Sequence, residues 1–216
     1  MRALVACERS GSVRRALRAV GVDAWSCDLV PADDGDRHHI TGDALDVLGE
    51  RWDLLVAHPP CTYLSRVAAA CLDGRCGHPH RHTPVGALRR QLCIDAALFF
   101  RRFLDAGHIP LRAVENPAPH RMAGRLMGLH QGVSEPWHHG DAWMKRTFWW
   151  LRGLQPLAPT AVVEPAAYLV GGQRNSGRLP QITSGGTPED TLARSVTSPG
   201  TAAAIAAQWT RPASLF

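Results

Sequence analysis

The chain has 216 residues, of which 45% are hydrophobic and 20% charged, so it can bury the core of one ordinary α/β domain. It contains no apolar run long enough to cross a membrane, and its first residues lack the apolar stretch and small-residue cleavage site of a signal peptide. The six cysteines are scattered, which favours free thiols over a disulfide framework. We therefore expect a cytoplasmic protein without a membrane span.

The charge balance is basic, with a formal net charge of +5 and a pI near 9.2. Such a balance suits a polyanionic partner such as nucleic acid. Lys145 is, however, the only lysine, and the other basic residues are arginines in a chain rich in alanine and glycine. This composition is also typical of GC-rich coding, so charge alone leaves both interpretations open.

The first half of the chain alternates apolar strands with helical patterns. Strands are predicted from Ala3 to Cys7, from Asp23 to Asp28 and from Trp52 to His58, the last continuous in apolar character as buried parallel strands require. "GSVRRALRAVG" has apolar residues at helical spacing and ends in a glycine, which is typical of a helix stop. "HHITGDALDVL" predicts a short strand, a turn and a short helix.

The second half begins with "LRRQLCIDAALFFRRFLDAG", which predicts a long amphipathic helix, followed by a strand from Leu111 to Pro117. "RTFWWL" predicts a late strand whose alternation places Trp149 and Trp150 on opposite faces. "SPGTAAAIAAQW" predicts a final helix with Ser198 as its cap and Pro199 in its first turn.

This alternation of strands and helices predicts an α/β fold, a doubly wound and mostly parallel Rossmann-like sheet with helices on both faces. We divide the chain into a catalytic core over 1–156, an irregular segment over 157–191 that contacts substrate or DNA, and a segment over 192–216 whose helix packs back on the core. The middle segment is rich in proline, glycine, serine and threonine.

Polar residues follow nearly every predicted strand. They are Glu8, Asp28, Asp43, the run His58–Cys61 and the pair Glu115–Asn116. Ligands of open parallel sheets bind beyond the carboxyl ends of the strands, so we expect these residues around one crevice. In "LLVAHPPCTYLS" the prolines stop the strand and stiffen the chain, which would present Cys61 at that crevice. An inert loop cysteine is the alternative.

Three stretches carry a family resemblance: "DLLVAHPPCTYLS", "VENP" and "RSVTSPGTAAAIAAQW". Their order, from Leu4 to Trp209, resembles the DNA (cytosine-5) methyltransferases, and more closely a compact phage-associated branch of that family. The resemblance implies a methyltransferase sheet that uses S-adenosylmethionine or a modified analogue such as carboxy-S-adenosyl-L-methionine. It also implies a DNA substrate whose target cytosine is flipped out, and a bacterial or phage origin. We expect a monomer, with a dimer as the alternative.

The resemblance assigns catalytic roles to three residues. Cys61 would be the nucleophile, because a thiolate that adds to C6 of cytosine makes C5 able to attack a methyl group. Glu115 would hydrogen-bond N3 and the exocyclic amine, and Arg146 would contact the base O2 or a phosphate. A capping or salt-bridged acid is the alternative for Glu115.

The resemblance also implies a cofactor set. Residues Glu8 to Gly11 would pass the methionine moiety, Asp28 would bind ribose hydroxyls, Asp43 would face adenine, and the segment with Ser195 and Thr197 would close over the cofactor. The full set is Cys7, Glu8, Ser10, Gly11, Asp28, Leu29, Asp43, Ala44, His58, Pro59, Ser195 and Thr197. Helix capping is the alternative for the two aspartates and for Ser195 and Thr197.

The chain departs from the family where Thr62 replaces a usual glutamine and His58 a usual glycine, and where the segment over 157–191 is too short for a recognition domain. We therefore expect a short DNA sequence context. Modification of a free pyrimidine nucleotide and non-catalytic DNA binding are the alternative functions.

A cluster of cysteine and histidine follows the proposed nucleophile in "CLDGRCGHPHRH". Its members are Cys71, Cys76, His78, His80 and His82. These residue types bind zinc, but the spacing fits no standard zinc finger. A zinc site and a polar loop that faces DNA both remain open.

Overall fold

The architecture is an α/β sheet, known from a computed structural model that describes residues 1–66, 69–74, 84–169, 179–181 and 193–210. The strands are β1 (Arg2–Ala6), β2 (Asp23–Asp28), β3 (His39–Thr41), β4 (Leu54–Ala57), β5 (Leu111–Pro117), β6 (Gly132–Ser134), β7 (Trp143–Met144), β8 (Thr147–Arg152) and β9 (Ala167–Tyr168). The helices are α1 (Ser12–Ala19), α2 (Ala44–Val47), α3 (Ala69–Leu72), α4 (Gly86–Leu104), α5 (Arg121–Met127) and α6 (Pro199–Trp209).

The main sheet has seven strands within the described residues, in the order β3-β2-β1-β4-β5-β8-β6. The pairs from β3 through β5 are parallel, whereas β8 runs antiparallel to both β5 and β6. A separate parallel pair joins β7 to β9. The mostly parallel Rossmann-like sheet predicted from the sequence is therefore confirmed. The strand order reverses between β1 and β4, which is where such sheets bind their ligands.

Helices cover both faces of the sheet because successive strand residues point to opposite sides. Leu4 faces the layer that contains Phe100 of α4, and α5 packs in the same layer. Its neighbour Val5 faces the other layer, with Leu17 of α1 and Ile205 of α6. Helices α1 and α6 therefore cover the second face of the sheet together.

The two tryptophans of β8 separate as the alternation predicts. Trp149 packs in the layer of α1 and α6, and Trp150 packs in the layer of α4. The indole Nε1 of Trp149 donates to Ser134 Oγ at 2.8 Å, and that of Trp150 donates to Gly128 O at 2.9 Å. Both rings are buried, and both polar groups are satisfied, so β8 is a core strand.

The elements after β5 depart most from the sequence prediction. Strands β6, β7 and β9 and helix α5 were not predicted, because each is too short to show a hydrophobic period. A 3₁₀ turn over Pro136–His138 lies between β6 and β7. The long helix α4 also begins two residues earlier than its apolar pattern, at Gly86.

The cysteines correct one expectation. Cys7, Cys27, Cys61 and Cys93 are free thiols, as predicted. Cys71 is disulfide-bonded, so the prediction of free thiols is wrong there. Disulfide pairing depends on the distance between Cα atoms, which the scattered sequence positions do not reveal.

The zinc hypothesis falls mostly on residues outside the described part of the chain, namely Cys76, His78, His80 and His82. Within the described ranges, no group of three or more metal-binding side chains could hold a metal ion. The described helices also include none that is long and apolar enough to span a membrane.

We predict that Trp209→Ala lowers the free energy of unfolding by about 3–5 kcal/mol, the usual loss for a buried tryptophan. Trp209 is buried in α6, its ring centroid lies 5.2 Å from that of Trp149, and its Nε1 donates to Gln155 O. Urea denaturation measures the change. The control Leu129→Ala removes an exposed side chain and should change the value by less than about 0.5 kcal/mol. Equal effects of the two variants would show that α6 does not belong to the cooperative core.

Candidate active site

The carboxyl ends of β1 and β4 lie beside the point at which β5 stops pairing with β4. Ala6 pairs with Ala57, and Ala57 pairs with Val114. The next residue of each strand therefore reaches the same edge of the sheet, and these residues are Cys7, His58 and Glu115. The amide of His58 donates to Ala6 O at 2.9 Å, which fixes the end of β4 against β1.

Cys61 sits in a tight turn just beyond that edge. Its carbonyl accepts from the amides of Leu64 and Ser65, each at 3.0 Å. The amide of Arg66 then donates to Ala118 O at 2.7 Å, which ties the turn to the chain after β5. Cys61 is thus held by backbone hydrogen bonds near Glu115, and its side chain remains only partly buried.

The pKa of the Cys61 thiol lies above its ordinary value. Burial is the largest cause, and the negative charge of Glu115 acts in the same direction. The cations Lys145 and Arg194 oppose this rise. The thiol is therefore protonated at neutral pH in the ligand-free protein, and its reactivity depends on the balance between Glu115 and the nearby cations.

Glu115 is mostly buried in β5, yet its carboxyl has a pKa below the ordinary value. Burial acts to raise that pKa, but the nearby imidazole of His58 and the charge of Lys145 outweigh it. The Nδ1 of His58 lies 3.6 Å from Glu115 Oε1, a distance at the outer edge of hydrogen bonding. Glu115 is therefore an ionised acid with His58 and Lys145 as its neighbours.

Lys145 is the site residue that the sequence analysis missed. It lines a small cleft with Glu115 and Thr197, and its Nζ donates to Val196 O at 2.9 Å. Burial lowers the pKa of Lys145, whereas the charges of Glu115 and Cys61 raise it. Its being the only lysine in the chain was the available signal.

Arg146, the predicted cation, points elsewhere. It is exposed, and its guanidinium lies 5.5 Å from the ring centroid of Phe148. Its charge acts on Glu135 and His138. Its neighbour Lys145 is instead the cation that acts on Cys61 and Glu115, so a role of Arg146 toward the base or a phosphate stays a prediction.

The first loop of the predicted cofactor set follows β1. Cys7 has a φ of 58°, an uncommon value for a residue other than glycine. Both carboxylate oxygens of buried Glu8 accept from the first turn of α1, from Val13 N at 2.7 Å and Arg14 N at 3.2 Å. Glu8 thus caps α1 and shapes the loop rather than presenting a free carboxylate.

Gly11 and Ser10 complete this loop. Gly11 has a φ of 65°, and a Cβ at this position would collide with the guanidinium of Arg14 and approach Asp34 Oδ2. Only glycine fits there, because any side chain would both strain the backbone and displace the Arg14–Asp34 ion pair.

Asp28 is the last residue of β2, and Asp43 lies two residues beyond β3. Asp28 Oδ1 accepts from Val30 N at 3.2 Å, and Asp43 caps α2 by accepting from Leu45 N at 2.9 Å. Burial and then the charges of both aspartates raise the pKa of Cys7 to about 12, so the two acids face the end of β1. The helix-cap interpretation of Asp43 is correct, and its second oxygen takes no part in that cap.

An apolar surface accompanies these acids. Leu29 directly follows Asp28 and is 75% exposed, an unusual state for a leucine. Ala44, by contrast, is buried in the first turn of α2. The carboxylate of Asp28 and the side chain of Leu29 thus offer a polar and an apolar group at the end of the same strand.

Buried Arg14 holds the loop after β2. Its guanidinium donates to Ser26 Oγ at 2.7 Å and to Asp34 Oδ2 at 2.5 Å. Burial acts to raise the pKa of Asp34, but hydrogen bonds from Arg14 and Arg15 lower it to about 2. This network fixes the chain after Leu29 against α1 over a wide pH range.

The C-terminal part of the predicted set also reaches the site. The hydroxyl of Ser12 donates to Thr197 O at 2.8 Å, which joins the segment before α6 to the start of α1. Ser198 caps α6 by accepting from Thr201 N at 3.3 Å, as predicted. Thr197 is buried beside Lys145, and Ser195 is exposed on the same segment.

Two side chains at this edge carry buried polar atoms without a hydrogen-bond partner within the described part of the chain. They are His58, through both ring nitrogens, and Asn116, through Oδ1. An unsatisfied buried polar group costs about 1–3 kcal/mol, and a bound polar ligand would recover part of that cost. Pro59 lies between His58 and Cys61, is buried, and restricts the backbone there.

Comparisons with known proteins show fold likeness only. No family sequence model matches this chain, and no curated protein matches it. Among solved structures, one similar protein is assigned as a DNA modification methyltransferase encoded within an E. coli prophage, at 12% identity and a TM-score of 0.43 over 76% of this chain. Another is a mutant of Spodoptera frugiperda DNMT2, at 10% identity and a TM-score of 0.40 over 77% of this chain. The matches span only 52% and 57% of those two chains.

We predict that Lys145→Met slows alkylation of Cys61 by iodoacetamide at pH 8 roughly three- to tenfold, because loss of the ammonium raises the pKa of the thiol by up to about one unit. Peptide mass spectrometry measures the rate, with Cys7, Cys27 and Cys93 as internal references. Lys145→Arg keeps the charge and should react at nearly the wild-type rate. Equal rates for Lys145→Met and wild type would remove Lys145 from the electrostatics of Cys61.

Proposed function

We propose that this protein transfers a methyl group from S-adenosylmethionine to C5 of cytosine in DNA through a covalent bond between Cys61 and C6 of the base. One observation carries the proposal: Glu115 of β5 and Lys145 line one cleft at the edge of the sheet where β1 and β4 end, and the charges of both act on the thiol of Cys61. The motifs "HPPCT" and "VENP" that supply two of these groups resemble those of DNA (cytosine-5) methyltransferases.

The residues near the point where the strand order reverses fit an adenosine cofactor. Asp28 would accept hydrogen bonds from ribose hydroxyls, and exposed Leu29 would cover one face of the adenine ring. Asp43 has a carboxylate oxygen left for the adenine amine. The loop with Ser10 and Gly11 would pass the methionine moiety, and Thr197 is tied to this loop through Ser12. When bound, S-adenosylmethionine supplies an electrophilic methyl group.

The chain's own groups would then act on the base. The thiolate of Cys61 forms a bond to C6, and the electron pair of the C5–C6 double bond becomes available at C5. Glu115 accepts from the exocyclic amine and stabilises the ring nitrogen as charge develops there. Lys145 favours the thiolate and balances the negative charge of Glu115. Solvent water then takes up the C5 proton, the bond between Cys61 and C6 breaks, and the thiolate is restored.

The target base must leave the duplex stack to reach Cys61. Arg66, next to the Cys61 turn, and Arg121 and Arg125, on α5, are exposed and suit phosphate contacts. In this proposal the core over 1–156 carries the chemistry, the segment over 157–191 contacts DNA, and the segment over 192–216 closes on the core. Few base contacts are then available, so the recognised sequence should be short.

We predict that nucleosides from DNA incubated with the protein and S-adenosylmethionine contain 5-methylcytosine. Cys61→Ser should abolish its formation, because a hydroxyl is a far weaker nucleophile than a thiolate. Glu115→Gln should slow it by roughly 10²–10⁴-fold, the usual contribution of a general acid or base. Mass spectrometry reports the base, the position and the transferred mass together.

The matched control for this experiment is Cys93→Ala, which removes a buried thiol of α4 that faces His120 and does not belong to the group of Cys61, Glu115 and Lys145. It should retain activity. Full turnover by Cys61→Ser would remove Cys61 as nucleophile. A product formed only on free nucleotides, or DNA binding without any product, would replace the proposal with one of the two alternative functions.

We predict that Asp28→Ala weakens S-adenosylmethionine binding roughly 10- to 100-fold, the loss of one or two hydrogen bonds to a charged acceptor. Isothermal titration calorimetry measures the affinity. Asp46→Ala removes an exposed carboxylate from α2 and should leave the affinity unchanged. If the two variants bind equally well, Asp28 does not hold the ribose.

A further inference from the structure

His58 forms a buried pair with Glu115 that the proposed chemistry does not yet use. Its side chain is only 7% exposed, and its Nδ1 lies 3.6 Å from Glu115 Oε1. The ring packs edge-on against Trp149, with centroids 6.3 Å apart, which restricts its rotation. Within the described residues neither ring nitrogen has a hydrogen bond of normal length. The imidazole is therefore aimed at Glu115 and satisfied by nothing else that the structure describes.

The charged groups around this pair come from three parts of the fold. Lys145, from the chain between β7 and β8, acts on Glu115, and Cys61, from the turn after β4, carries the nucleophile. Arg194, before α6, acts on Cys61. A lysine holds its proton near neutral pH, whereas an imidazole exchanges it there, so His58 is the partner suited to pass a proton to Glu115.

We propose that His58 is the positioning residue that supplies Glu115 with the proton that Glu115 donates to the ring nitrogen of the target pyrimidine. This inference rests on the proposed function. Oε1 of Glu115 faces His58, which leaves Oε2 for the base. An ionised carboxylate would repel the lone pair of N3, whereas a carboxyl that has received a proton donates a hydrogen bond to it.

The proton balance closes over one turnover. As the thiolate of Cys61 bonds to C6, negative charge moves to N3, one proton passes from Glu115 to N3, and the proton of His58 passes to Glu115. Solvent water takes up the C5 proton, the bond to Cys61 breaks, the N3 proton returns to Glu115, and His58 regains its own. No oxidant, reductant or metal takes part, and in this role His58 acts on the base through Glu115.

The pairing is tested without DNA or cofactor, so that its result does not depend on the proposed function. The carboxyl of Glu115, labelled with ¹³C and assigned with Glu115→Gln, is titrated by NMR in wild type and in His58→Gln. Removal of the cation leaves burial to dominate, and we expect the midpoint to rise by about one pH unit or more. The control His108→Gln alters an exposed histidine near the amino end of β5, and its midpoint should match wild type. An unchanged midpoint in His58→Gln overturns the pairing.

The proton role is tested by the single-turnover rate of methyl transfer against pH. His58→Gln should be at least about tenfold slower than wild type at pH 8, and should recover most of that loss at pH 6, where solvent protonates Glu115 directly. A merely structural role would lower the rate equally at every pH, and that result overturns the proposal. If the wild-type protein transfers no methyl group, the proposed function is wrong, and so is the transfer of a proton from Glu115 to N3. The NMR titration still decides whether His58 and Glu115 form a pair.

Discussion

The parallel pairing of β1, β4 and β5 is the constraint on which the site depends. Because Ala6, Ala57 and Val114 lie in register, the residues that follow them emerge together at one edge of the sheet. The sheet interior is held by apolar layers on both faces, so these ends cannot shift independently. Cys7, His58 and Glu115 are therefore brought together by backbone hydrogen bonds rather than by attraction between their side chains.

The pKa values of Cys61 and Glu115 at this edge of the sheet each depend on opposing influences. Burial and Glu115 both disfavour the Cys61 thiolate, while Lys145 and Arg194 favour it. The same lysine, with His58, keeps Glu115 ionised against the cost of burial. In the protein without ligands, burial and Glu115 prevail at Cys61, so the pKa of its thiol is raised. At Glu115 the neighbouring groups prevail over burial, so the pKa of its carboxyl is lowered. A protonated thiol is less readily oxidised than a thiolate.

Two interactions fix the periphery of the site without taking part in its chemistry. Glu8 holds the first turn of α1, and Arg14 holds the loop after β2 through Asp34. Both contacts place a charged side chain in the interior, where removing one partner costs more free energy of folding than the contact itself contributes. They define the positions of Gly11 and Asp28, so the predicted cofactor loop is rigid before any ligand arrives.

The strands β1 through β5 and β8, and helices α1, α2, α4 and α6, could be predicted from the sequence, because an apolar pattern or a turn signal marks each of them. Strands β6, β7 and β9 and helix α5 could not, because each is too short to show a hydrophobic period. The sequence also predicts candidate site residues where a polar group follows an apolar run, as at His58 and Glu115.

What the sequence by itself determined is therefore the fold class and the edge of the sheet at which polar groups gather, since local hydrophobic patterns encode strand and helix directly. Only the tertiary structure decided which of those groups interact. It made Glu8 a helix cap, turned Arg146 to the surface beside Phe148, and brought Lys145 to Cys61 and Glu115. The physical reason is that neighbouring residues such as Lys145 and Arg146 have the same charge and the same local pattern. Their directions depend on how β8 packs between β5 and β6, which involves residues far apart in the chain.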